Sequence, residues 1–100
     1  MKKKEVQPAR RAHIFFSGRV QGVGFRYTAE NIALEIGLVG WVKNTSDNRV
    51  EVVCEGAEAK INLLLDKIKQ SFLGPYIKKT VCDWERPTGE FKDFRVEFYC

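Results

Sequence analysis

The hydrophobic period of the chain changes across one glycine-rich stretch, SGRVQGVGFR from Ser17 to Arg26, and that change limits the folds open to it. Before the stretch, RAHIFFSG alternates: Ala12, Ile14 and Phe16 fall on one side of an extended chain, Arg11, His13 and Phe15 on the other. This predicts a strand ending near Gly18 with one face toward a core. After it the spacing is helical, with Phe25, Ala29, Ile32, Ala33 and Ile36 on one face and Gly37 as a stop signal. LVGWVKN and RVEVVCE read as two strands, and TSDN between them is rich in turn residues, which predicts a hairpin. Ile61, Leu64, Leu65, Ile68 and Phe72 mark a second helix, closed by Gly74-Pro75. TVCDWE and FRVEFY are further strands turning about RPTGEFKD, with Phe94, Val96 and Phe98 on one face. The order strand, helix, strand, strand, helix, strand, with room for one extra short strand, is that of an α+β, ferredoxin-like two-layer sandwich. Its sheet is expected to be antiparallel with both helices on one face.

The composition is that of a globular domain: 100 residues, 44% hydrophobic and 30% charged. The net charge of +4 is unevenly spread. Of 17 basic and 13 acidic residues, five and one lie in Met1–Arg11, which leaves twelve of each for the rest. Residues 1–10 are therefore read as a basic, flexible arm and 11–100 as one near-neutral domain, without a body-wide basic face for nucleic acid. MKKK is not followed by an apolar stretch, and no apolar run is long enough to span a membrane. Cys54, Cys82 and Cys100 are odd in number and widely spaced, which argues against a disulfide framework or a zinc site. The expectation is reduced thiols in a cytoplasmic, monomeric protein.

Glycines at 18, 22 and 24 permit positive φ, so successive N–H groups of the loop can converge on one concavity. A helix N-terminus, with a partial charge of about +0.5, follows immediately. Arg26 in its first turn adds a planar fork of donors suited to phosphate. All of this favours a compact dianion. The loop is not a Walker P-loop, which needs Gly-Lys-Ser/Thr, nor the G-x-G-x-x-G of dinucleotide binding. No cysteine precedes Arg26 in the loop to act as a nucleophile. His13, the single histidine, sits mid-strand and reads as structural, while Asp47 and Glu51, in or near the hairpin turn, read as solvated. No group of residues has metal-ligand spacing. A hydrolase so equipped needs a substrate whose leaving group requires no proton; an acyl phosphate, which releases a carboxylate, is one.

GRVQGVGFR, GLVGWVKN and the hairpin into VEVVCEG together resemble the acylphosphatase family, and the likeness runs from the strand before Gly18 to the final Phe-x-Val strand. The resemblance implies a ferredoxin-like enzyme that hydrolyses acyl phosphates to a carboxylate and inorganic phosphate without metal or cofactor. By the family pattern the loop, Arg19, Val20, Gln21, Gly22, Val23, Gly24, Phe25 and Arg26, binds phosphate through its backbone and the Arg26 side chain. Asn44 in WVKN holds the attacking water. An uncharged amide suits that place, since it accepts from a water and donates as well, whereas a carboxylate would repel the dianion. The partners implied are a small-molecule acyl phosphate and inorganic phosphate as product and competitor. One departure is Asn48, where the family commonly has Gly after the turn Asp; Asn tolerates the left-handed region, so a similar hairpin is expected.

Two other readings share the fold. IFFSG, Ile14 to Gly18, looks like the first RNA-contacting strand of an RNA recognition motif, but the third strand, RVEVVCE, has two acids and no aromatic on which a base could stack. The other is a domain that binds anions without turnover, since binding and catalysis would use the same loop.

Overall fold

Strand β1, Ala9–Gly18, buries Ala12, Ile14 and Phe16 as its alternation predicts. The structure, a computed structural model, describes residues 9–98. The basic arm expected over 1–10 falls mostly outside that range; its last two residues, Ala9 and Arg10, belong to β1. Tyr99 and Cys100 also lie outside it. Helix α1, Phe25–Ile36, stops at Gly37, whose φ of 94° lets its N–H and that of Leu38 both return to the Ala33 carbonyl at 2.9 Å. β2, Val39–Asn44, and β3, Val50–Ala57, form the predicted antiparallel hairpin. Asn48 in its turn has φ 71°, the left-handed conformation expected of it.

Helix α2, Glu58–Gln70, carries Glu58 in its first turn and Lys67 and Lys69 in its last, each opposite in sign to the nearby end of the helix dipole. It ends earlier than Gly74-Pro75. The Ser71 hydroxyl donates to the Ile68 carbonyl at 2.6 Å and accepts from the Leu73 amide at 3.1 Å, which turns the chain out of the helix. Phe72, expected on the apolar face, is in consequence 61% exposed, and Leu73 fills the core position instead. A short 3-10 turn, Gly74–Tyr76, leads into β4, Ile77–Glu85.

The sheet order is β4-β1-β3-β2-β5, where β5 is the short strand Phe94–Val96. β1 pairs antiparallel with β3 and β4, but β5 runs parallel to β2, so the sheet is mixed where an antiparallel one was expected. β4 and β5 occupy opposite edges. The segment between them, RPTGEFKD, is therefore not a turn joining neighbours but a strap that crosses the sheet. Phe98, expected beside Phe94 and Val96, lies beyond the end of β5 and is exposed.

Register assigns the two faces. Ala12, Ile14 and Phe16 lie opposite Cys54, Val52 and Val50, and these in turn opposite Gly40, Val42 and Asn44. The apolar members of this face form one core with Ala29 and Ala33 of α1 and Ile61, Leu64 and Ile68 of α2, so both helices cover it. The other face carries Arg11, His13, Phe15, Trp41, Lys43, Glu51, Val53 and Glu55. The strap is clamped to it by Glu55, which accepts from the Thr88 amide (2.8 Å), the Gly89 amide (3.0 Å), the Thr88 hydroxyl (3.1 Å) and Arg11 Nη1 (2.8 Å).

Candidate active site

The loop between β1 and α1 is held down by its apolar residues and raised at its glycines. Val20 is fully buried, Val23 packs against the core, and Phe25 meets Phe16 with ring centroids 4.9 Å apart. Gly22 and Gly24 between them are exposed, with φ of 79° and 81°. At the start of the loop, Gly18 (φ 127°) lets the chain leave the sheet, and Arg19 N–H donates to the Tyr76 carbonyl at 2.9 Å. A Cβ at Gly18 would run into the backbone of Tyr76 and Lys78, so glycine is required there by close approach as well as by φ.

Gly24 is the N-cap of α1, with no side-chain cap and no acid in the first turn. Among the described residues, no hydrogen bond of good geometry is donated by a backbone N–H from Val20 to Tyr27, although Gln21 and Gly22 stand in a turn that brings Val23 N–H toward the Val20 carbonyl; the first helical bond is Thr28 N–H to the Gly24 carbonyl, 3.1 Å. A run of unengaged amides at a helix N-terminus is an anion-binding arrangement. Arg26 is the second residue of that helix and half-buried, with its guanidinium 5.0 Å from the centroid of the Phe98 ring.

Asn44 ends β2 on the helix-covered face, opposite Val50. Its Oδ1 is buried and accepts from no described group. Buried amide oxygens ordinarily have a donor, so this one is an unsatisfied acceptor. The turn after it is closed by Thr45 N–H to the Arg49 carbonyl and Arg49 N–H to the Thr45 hydroxyl, both 2.9 Å. Asp47 accepts from Arg49 and Thr45, which hold its carboxyl below the ordinary range.

The loop and this turn are joined by a contact that sequence reasoning missed. Gln21 Nε2 donates to the carbonyls of Thr45 (2.8 Å) and Arg49 (2.9 Å). Gln21 was expected to serve through its backbone; its side chain spans to the hairpin, and no local pattern signals a partner 24 or 28 residues away. The loop, Arg26 and Asn44 are thus brought to one end of the domain.

The remaining candidates lie elsewhere. His13 is on the strap-covered face, its Nε2 2.6 Å from Glu51 and its Nδ1 3.2 Å from Glu85, a structural position. Glu51 is accordingly paired and not solvated as expected. Cys54 and Cys82 are free thiols; burial pushes Cys54 up to about 12 and Cys82 in the same direction, so neither is a ready nucleophile. Among the described residues no three His, Cys, Asp or Glu side chains come together as a metal site, and no helix is long and apolar enough to cross a membrane. A hollow of about 660 Å³ runs along β2 and β5 between Trp41, Phe91 and Phe98, and one of about 400 Å³ lies beside Gly18 and Tyr76; neither is lined by Asn44 or Arg26. The amide-rich loop is an open rim, a form suited to a small ion gripped by backbone groups and not to a large engulfed ligand.

Residues 12–96 match the family model described as Acylphosphatase. An acylphosphatase of Roseiflexus sp. (strain RS-1) is 43% identical over 89 residues, covering 86% of this chain and 92% of that protein. One from Pyrobaculum islandicum (strain DSM 4184 / JCM 9189 / GEO3) is 41% identical over 87 residues with the same coverage, 86% and 92%. The crystal structure of acylphosphatase from Bacillus subtilis superposes with a TM-score of 0.80 at 32% identity, covering 88% of this chain and 98% of that one. With the model spanning nearly all of the described residues and the fold and loop agreeing, the chain belongs to the acylphosphatase family.

Proposed function

We propose that this protein hydrolyses acyl phosphates to a carboxylate and inorganic phosphate at the end of the sheet where the loop Arg19–Arg26 meets Asn44. The observation that carries the reading is the run of amides from Val20 to Tyr27 without a hydrogen bond of good geometry, beside an asparagine whose Oδ1 is buried without a donor. The phosphoryl group sits in the amide cradle with Arg26 on its oxygens. Positive charge comes from the guanidinium and the helix end, so no step calls for a metal or an organic cofactor. Asn44 Oδ1 accepts from a water and directs its oxygen at phosphorus. The P–O bond to the acyl group breaks as the new P–O bond forms, the electron pair leaves with the carboxylate, and the water proton stays with the phosphate product. The leaving carboxylate is stable as an anion, so no general acid is needed. Inorganic phosphate fills the same cradle and competes with substrate.

The RNA-binding alternative fits poorly with Glu51 and Glu55 on the face away from the helices and a strap laid across it. The anion-binding alternative differs only in turnover, and one experiment separates the two. Phosphate release from acetyl phosphate is followed against the spontaneous rate, with wild type and Arg26→Ala. Wild type is expected to turn over with competitive inhibition by phosphate, and Arg26→Ala to lose a factor of about 10² to 10³ or more. Phosphate binding without release above the spontaneous rate would leave only the binder.

A further inference from the structure

We propose that the side chain of Gln21 is a positioning residue for the reaction, setting the distance and angle between the phosphate cradle and the water held by Asn44. The inference rests on the reading above. The loop follows β1 and the turn joins β2 to β3; β1 pairs with β3 as far as Phe16 and Val50, which brings loop and turn to the same end of the sheet without fixing the loop itself. Among the described residues, the one hydrogen bond from a loop backbone amide to a strand-side partner, Arg19 N–H to Tyr76 O, ties the loop toward β4, away from Asn44. Gln21 supplies the tie in the other direction.

Its chemistry fits that task. Nε2 has two protons, and both find carbonyls, at 2.8 Å on Thr45 and 2.9 Å on Arg49. Turning the amide over would set its oxygen against those two carbonyl oxygens, so the orientation is dictated. These carbonyls form the mouth of the turn, since Arg49 O also accepts from Thr45 N–H. Thr45 is one peptide from Asn44. Asn44 Oδ1 has no described donor of its own, so its place follows from its backbone, held on one side by the ladder to Val50 and on the other by the turn that Gln21 grips at Thr45. A glutamate at 21 would repel both carbonyls, and a lysine would put a second cation near the dianion. A misplacement of about 1 Å between reacting groups lowers rate by roughly 10²-fold, so a tie of this kind acts on turnover.

The test measures kcat, the inhibition constant of inorganic phosphate and thermal stability for Gln21→Ala and Gln21→Met, each in the wild-type and the Asn44→Ala backgrounds, with acetyl phosphate as substrate. Methionine fills the volume but cannot donate, so it carries the test if alanine prevents folding. The expected result is a fall in kcat of about 10- to 100-fold with phosphate affinity changed by less than about threefold. In the Asn44→Ala background, removing Gln21 is expected to lower the residual rate by less than about twofold, since a residue acting through Asn44 has nothing left to position. Equal losses in both backgrounds, or kcat within about twofold of wild type for folded Gln21 variants, would overturn the proposal. If Asn44→Ala itself keeps full kcat, the mechanism above is what fails, and the positioning role falls with it.

Discussion

Replacing Glu55 with alanine removes the clamp that holds the strap to the sheet, and the loss can be worked from its four donors. The carboxylate is 4% exposed and accepts from two backbone amides, a hydroxyl and Arg11. A hydrogen bond to a charged group contributes about 1.5–3 kcal/mol, so the amides and Arg11 alone would sum to roughly 5–9. That sum is too large here. Thr88 and Gly89 are exposed, so water replaces part of what they lose, and Arg11 keeps Glu85 at 3.1 Å and Glu90 at 3.4 Å. The expected destabilisation is about 2–4 kcal/mol, near the range for breaking a buried pair. In a urea titration followed by tryptophan fluorescence, with a slope of about 1.5 kcal/mol per molar, the midpoint should fall by roughly 1–3 M. The pH dependence adds a sign. Burial pushes the Glu55 carboxyl up, but the Thr88 amide, Arg11, the Gly89 amide and the Thr88 hydroxyl outweigh it and hold the group below the ordinary range. A depressed folded value gives stability that is complete above the unfolded value of about 4.3 and is lost as pH falls through the folded one. Glu85, lowered by His13 and then Arg11, loses stability over the same acid window. Glu55→Ala should therefore flatten the acid limb of the stability profile. A midpoint within about 0.3 M of wild type, with the acid limb unchanged, would show that the strap is held by something else.

Asn44→Ala should lower kcat by about 10²-fold or more in phosphate-release assays while phosphate affinity stays near wild type, because the lost interaction belongs to the transition state. Arg26→Lys should recover little of the activity lost in Arg26→Ala, since a point charge cannot reproduce a two-pronged contact; kcat/KM for the two variants checks this. Turnover should persist in excess chelator, and inactivation reversed by a divalent ion would refute a metal-free mechanism. Leu73→Ala should destabilise by about 2–5 kcal/mol and Phe72→Ala by less than about 1, which paired thermal melts would separate.

The parts of the fold that could be read in advance are those written in local periodicity. β1 and α1 turn toward the core the residues their spacing names, with Ile32 and Ile36 only partly buried, and Asn48 takes the left-handed turn that its side chain tolerates. Phe72 misled because it continues the helical spacing; the Ser71 hydroxyl, bonded to Ile68, ends the helix two residues after the last apolar position that packs. The direction of β5 was not legible, since three residues carry no mark of whether their neighbour runs parallel. At the candidate site, the glycines and Arg26 could be read from loop chemistry, and Asn44 through the family likeness. The Gln21 side chain could not, because its carbonyl partners belong to a turn that only the folded sheet brings near.

The sheet order also has a temporal side. β1 lies between β3 and β4, and the side-chain bond from Arg11 to Glu85 joins residues 74 positions apart. At a synthesis rate of about 5–20 residues per second, some 4–15 s separate the appearance of the two partners on the ribosome. Throughout that interval Ala12, Ile14 and Phe16 have left the point of synthesis without the strand that flanks them on one side. Of the described strands, β1 is thus the one that waits longest for its last neighbour.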